Sequence, residues 1–259
     1  FLMPMDSAST IYAGLKHPQS VYHFYKRHGN ELIWLRDSVP VLADSMMYFI
    51  RTIRFRGLFP QDYHNVEFSA MPESSTDQGL RYRKEALLTD AFLAIALDLK
   101  YGRINTRPDP EIIDSLAQEA LENALSTKQI REFLESQEPR HAQYQLLKYS
   151  LGEILNNVNS SDRKILLSGI TYDSVADHKR IQLVEVNMER WRSELTEFGD
   201  RYIWINIPAY HLRVVEGTRN VLESRIIVGN PDTPTPTLNS IVESISLYPY
   251  WRVPRKIAI

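Results

Sequence analysis

Apolar residues recur in this chain with two different periods. Up to about residue 198 they return every three or four positions, the mark of amphipathic helices; beyond it they alternate with polar residues, the mark of strands. From Pro18, Val21, Phe24 and Tyr25 predict a helix that stops at Gly29-Asn30. Leu42, Met46, Phe49, Ile50 and Ile53 put a second helix over Val41–Phe55, ended by Gly57, with Leu58–Tyr63 as a turn and Ser69–Gly79 as a polar linker. Over Arg81–Tyr101 the stripe of Leu87, Leu88, Ala91, Phe92, Ile95 and Leu99 is wide enough for the centre of a bundle.

The same reading continues downstream. Arg107-Pro108-Asp109-Pro110 suits the first turn of a helix carrying Ile112, Ile113, Leu116, Ala120 and Leu121. Ser126–Leu134 reads as a short helix begun by a Ser or Thr cap, and Glu138–Leu155 as a longer one through Tyr144, Leu147 and Leu151. Asn156–Val175 yields no clear element. In Asp177–Glu197 the spacing of Ile181, Val184, Met188, Trp191 and Leu195 is that of a packing seam against a neighbouring helix or sheet.

Then the period changes to two. In Tyr202–Ile207 the isoleucines Ile203, Ile205 and Ile207 fall opposite Tyr202, Trp204 and Asn206. After a turn at Pro208-Ala209, Tyr210, Leu212 and Val214 alternate with His211, Arg213 and Val215. Glu216 to Asn220 reads as a hairpin loop with Gly217 at positive φ, followed by a strand over Val221–Val228. Three prolines in Gly229–Pro236 forbid helix and central strand alike, and a fourth strand is expected at Ser240–Leu247. The fold class is therefore α+β, a mostly helical domain followed by the first strands of a β domain.

Composition narrows the function classes. The chain is 43% hydrophobic and 24% charged with net charge −2, which gives no electrostatic reason to expect a nucleic-acid partner. Its longest apolar run, Ala91–Leu97, is far below the roughly 18 residues a membrane-spanning helix needs, so no span is expected. The first residue is Phe1 rather than Met, consistent with a processed product. No cysteine occurs, which removes disulfides, thiolate metal sites and cysteine nucleophiles from these residues. The seven histidines show no metal-binding spacing, no Gly-rich phosphate loop is present, and neither metal nor cofactor is expected.

Several stretches carry a resemblance. The runs RIQLVEVNMERWR, IWINIPAYHLRVVE and RIIVGNPDTPTPTLNSIVESISLYPYWRVPRKIA are similar to the large, scaffold-bearing L,D-transpeptidases of bacterial envelopes, which carry a YkuD-type catalytic domain. Upstream, Val21–Tyr25 followed by Leu32-Ile33-Trp34, LFPQDY, and LLTDAFLAIALDLKYGRI resemble the scaffold domain of that family. The resemblance implies a helical scaffold over residues 1–176, a connecting helix over 177–200 and the N-terminal part of a YkuD-type β domain over 201–259. It also implies peptidoglycan stem peptides as partners, other cell-wall enzymes as further ones, and a periplasmic or envelope location.

The family reaction is acyl transfer between stem peptides through a cysteine thioester, which needs a nucleophile, a base and oxyanion donors. The His and Ser/Thr-His-Gly-Cys elements of that mechanism have no counterpart here, so no catalytic residue is assigned. Two readings follow: a portion of a longer enzyme, or a non-catalytic envelope scaffold or peptidoglycan-binding module. The candidate substrate-binding residues are Tyr248, Tyr250, Trp251 and Arg252, aromatic faces for a sugar or peptide and a cation for an acidic stem. Three aromatics at a strand end are more often core or domain-contact residues.

Overall fold

A computed structural model describes residues 10–36, 40–72, 77–104, 109–168, 177–193, 198–217, 219–248 and 250, without the side chains of 40, 110–114, 116 and 117. The chain divides into two compact units, Phe1–Thr196 and Glu197–Ile259. The first is helical and the second carries a three-stranded antiparallel sheet.

The helical unit is organised around one long helix. Helix α1, Pro18–Arg27, starts on its proline and is closed by the His28 N–H on the Phe24 carbonyl, with Val21, Phe24 and Tyr25 buried as their spacing predicts. Helix α2, Pro40–Thr52, stops short of the expected Phe55: the chain tightens into a 3-10 turn over Ile53–Arg56 before Gly57. This tightening inserts Arg54 and Arg56 into the interior, which α-helical periodicity does not foretell. Helix α3, Asn65–Ala70, fills the unassigned residues between the expected turn and the expected linker, overlapping the linker at Ser69 and Ala70, and follows His64 at φ 61.

Helix α4, Gln78–Tyr101, begins three residues earlier than its stripe because the Asp77 carboxylate accepts from the Gly79 and Leu80 N–H groups. Every side chain from Glu85 to Leu99 is buried, so what reads as a stripe is a helix covered on all sides. Around it pack α1, α2, α5 (Pro110–Thr127) and α6 (Ile130–Ser136), forming a core with Trp34, Phe49, Phe92 and Leu134. The Ile112, Ile113 and Leu116 side chains of the α5 stripe lie outside the described set.

One boundary differs from the sequence reading. Ser126 and Thr127 do not cap α6; they end α5, bonding back to the Asn123 carbonyl, and Lys128 at φ 58 makes the break. Hydroxyl side chains serve a helix C-terminus by back-bonding as readily as they cap an N-terminus, so their presence marks a junction without saying which side.

A second core joins α7 (Ala142–Asn157), α8 (Ser160–Ser168) and α9 (His178–Ser193), with Tyr144, Leu151, Leu155, Leu166, Ile181 and Met188 buried. The α9 seam packs on α7 through Ile181, Val184 and Met188, with Trp191 half-buried beside them; Leu195 lies outside the described residues. Gly102, at φ 66, ends α4 against α9, where a Cβ would stand 2.4 Å from Ser193 Oγ. Only glycine fits that approach.

The sheet runs β1 (Arg201–Asn206), β2 (His211–Glu216), β3 (Arg219–Arg225). Cross-strand pairing puts Ile203 opposite Val214, Ile205 opposite Leu212 and Leu222 opposite Val214, which gathers the aliphatic residues on one face. Trp204, Arg213 and Glu223 align on the other. A bulge between Val214 and Val215 lets Arg219 and Asn220 pair with Glu216 and Val215, so the expected five-residue loop is shorter and β3 starts and ends earlier than Val221–Val228.

The expected fourth strand is a correction. Among the described residues, 240–247 pair with no strand, and Ile241, Val242, Ile245 and Leu247 stand exposed. Alternation says which side chains would share a face; it does not supply the neighbouring backbone a strand requires.

Candidate functional site

Of the four residues nominated from the sequence, Tyr248 and Tyr250 are among the described residues. Tyr248 is 98% exposed and at φ 56, and Tyr250 is 99% exposed, so neither belongs to a core. Trp251 and Arg252 lie outside the described residues.

The sheet offers a different polar face. The Arg213 guanidinium lies 5.8 Å from the Trp204 ring centroid and its Nε is 3.1 Å from a Glu223 oxygen, with His211 Nε2 4.0 Å from the other. Phe198 and Tyr202 stack at 5.1 Å. Together these side chains form an aromatic and charged ladder on one face of the sheet. Among the described residues no hydroxyl is hydrogen-bonded to His211, whose Nε2 has Glu223 as its nearest carboxylate neighbour.

The helical unit buries a network of charged groups. Arg54 donates to Glu185 at 2.5 Å and to the Leu166 carbonyl at 2.9 Å, its plane over the Phe59 ring at 4.3 Å. Arg56 reaches Glu138 at 2.9 Å and Glu135 at 2.7 Å; Tyr144 and Lys148 also donate to Glu138. Arg192 donates to the Arg56 carbonyl, to Tyr144 at 3.0 Å and to Glu189 at 3.2 Å. These groups join the 3-10 turn after α2 to α7, α8 and α9, and burial pushes the Tyr144 phenol well up, with Glu138 adding to the rise and Arg192 opposing it.

Two carboxylates on α4 do similar work. Glu85 accepts from the Ile33, Trp34 and Leu35 N–H groups and from Tyr25, fixing the loop after α1; burial raises its pKa against the pull of those donors. Asp90 accepts from the Lys16 and His17 N–H groups and from His64 at 2.6 Å. Burial acts to raise its pKa, but the hydrogen bonds from His64 and the two backbone donors prevail and hold it low. Each is a satisfied structural carboxylate. Neither faces open space in which a substrate atom would sit.

Two grooves do open on this unit. One, of about 260 Å³, lies among α4, α5 and α6; the other, of about 360 Å³, lies between the end of α7 and the start of α9, with Tyr149, Glu153, Asn157, Asp177 and Arg180 along it. Neither reads from the sequence, because the residues around each come from elements far apart in the chain. Likewise Arg54, Arg56 and Glu185 read as ordinary charged positions; the available signal was Glu185 sitting inside the Ile181, Val184, Met188 seam. Among the described residues no group of three or more His, Asp or Glu is placed to hold a metal ion, and no helix is long and apolar enough to cross a membrane.

Comparison with known families divides the chain along the same line as its secondary structure. A Scaffold domain model matches residues 19–151, which spans the helices from α1 into α7. An L,D-transpeptidase catalytic domain model matches residues 200–259, opening with β1. No curated protein matches the chain.

Proposed function

Because the chain belongs to the scaffold-bearing L,D-transpeptidase family, we propose that it serves peptidoglycan L,D-transpeptidation in the bacterial envelope, with wall stem peptides as substrate. The observation that carries this reading is the catalytic-domain match at residues 200–259, coinciding with the sheet that starts at Arg201. In this reading residues 1–176 are a scaffold, 177–200 a connecting helix and 201–259 part of the catalytic β domain. Tyr248, Tyr250, Trp251 and Arg252 supply contacts to the stem.

The 259 residues contain no cysteine, so the thioester step of the family cannot be carried by any side chain among them. What these residues contribute is binding: the Trp204, Arg213, Glu223 face and the tyrosines can hold a substrate that a thiolate attacks. The same fact favours a second reading, an envelope scaffold or peptidoglycan-binding module that acts with other cell-wall enzymes.

Purified sacculi test the assignment. The chain should be retained on them and released by free stem tetrapeptide, and these 259 residues should show no mass increase with a carbapenem, which needs a thiolate to acylate. Passage of the chain through sacculi without retention would overturn the proposal. Retention together with loss of wall cross-links when the gene is deleted favours the enzymatic reading; retention with unchanged cross-links favours the binding module.

A further inference from the structure

The groove among α4, α5 and α6 has the construction of a receptor for a small polar ligand. Its apolar lining is made of Ala96, Leu97, Ala120 and Phe133. Two of these are alanines, which leaves room for groups of methyl size and little more. Lys100 and Tyr101 stand on one side and Glu119 and Asn123 on the other, with Gln137 at the end of α6.

Arg54, Arg56, Arg83, Arg103 and Lys148 all close ion pairs with carboxylates. Lys100 and Glu119 face the same space, and among the described residues neither forms an ion pair or a hydrogen bond; the Lys100 ammonium only approaches the Tyr101 ring, at 5.3 Å from its centroid. The Asn123 carboxamide is free in the same sense. Gln137 spends its NH₂ on the Phe133 carbonyl and Ser136, which leaves its carbonyl oxygen open.

We infer that this groove binds a short peptide with small side chains. Lys100 takes its terminal carboxylate, Glu119 its ammonium, and Asn123 and Gln137 the peptide groups between. Opposite charges held apart across a cavity complement a zwitterion, and carboxamides present both donors and acceptors to an amide. At about 260 Å³ the space is just below the roughly 300 Å³ at which small-ligand pockets usually begin, so it fits a dipeptide-sized fragment and excludes a disaccharide. That the natural peptide is an alanine-containing stem of the cell wall rests on the proposed function; the chemistry of the groove does not.

The test uses the full chain and the dipeptide Ala-Ala, followed by NMR. Saturable shifts at Ala96, Ala120 and Phe133 are expected. Amidating the dipeptide's carboxylate or substituting Lys100→Gln should each weaken binding about tenfold, since a hydrogen bond to a charged group is worth about 1.4 kcal/mol or more. In Lys100→Gln, amidation should then have no further effect, an outcome that mere structural damage would not produce. Glu119→Gln should show the same pairing with N-acetylation. Both side chains are on the surface, and an unchanged circular dichroism spectrum verifies the fold.

Absence of saturable shifts up to about 10 mM, a concentration covering even weak fragment affinity, would overturn the inference, as would binding that ignores both substitutions. The sacculus experiment reports separately. Retention on sacculi without dipeptide binding removes only this inference, and dipeptide binding without retention removes only the assignment to the wall.

Discussion

The helical unit and the sheet unit use similar residues to different effect. In the first, arginines and glutamates are buried in pairs and Trp34, Phe92 and Leu87 are sealed from water. In the second, Val215 is the one buried apolar residue among those described, while Ile203 and Ile205 remain 49% exposed on the aliphatic face. The difference follows from where backbone hydrogen bonds are made. A helix satisfies its own and is free to bury whatever its faces carry, whereas a strand depends on neighbours. Three strands bury little unless something covers one side.

This contrast makes stability in the helical unit sensitive to single polar groups and that of the sheet nearly indifferent to them. The largest effect is expected from Glu185→Ala, which strands the buried Arg54 and should cost about 3–5 kcal/mol in urea denaturation. Phe92→Ala should cost a comparable 3–5 kcal/mol or so by opening a cavity at the centre of the bundle. If either change is tolerated within about 1 kcal/mol, the helical unit is not the closed core described.

Next comes Asp90→Asn, which replaces an acceptor of three hydrogen bonds and should cost about 1.5–3 kcal/mol at neutral pH. Because the folded-state pKa of Asp90 is depressed, its contribution is present above the usual aspartate range and is lost as pH falls through the depressed value. The stability difference between wild type and variant should therefore shrink on acidification. Glu85 has the opposite sign: its raised pKa means that stability declines as pH rises from the normal carboxylate range through the raised value. Glu85→Gln should flatten that decline.

Gly102→Ala should destabilise by about 1–3 kcal/mol, through positive φ and collision with Ser193, in a thermal melt. The smallest effect is expected in the sheet. Arg201→Ala, which removes an exposed pair with Glu216, should stay within about 0.5 kcal/mol. A large loss there would show that the sheet is held by more than its three strands.

Much of the fold was legible because helices announce themselves locally. The stripe of α4, the Pro18 start, the Gly57 stop and the α9 seam are all visible in spacing. The misses share a cause. The 3-10 turn after α2, the helix α3, the true role of Ser126 and Thr127 and the absence of a strand at 240–247 were each decided by what packs nearby. The candidate residues Tyr248 and Tyr250 were chosen for chemistry alone, and both side chains are exposed. The groove residues Lys100, Glu119, Asn123 and Gln137 carry no common sequence signal, since three separate helices bring them together.

By itself the sequence determined the change of period near residue 198, the helical and strand character on either side, and the absence of a cysteine nucleophile. Periodicity and composition are properties of neighbouring residues and need no fold to be read. Tertiary structure alone decided that Arg54, Arg56 and Arg192 lie inside with carboxylates around them, that Ile203 and Ile205 are half-exposed on the sheet, and that Lys100 and Glu119 line one groove without forming an ion pair. Those are facts about distance between elements remote in sequence, and burial free energy and charge pairing depend on that distance.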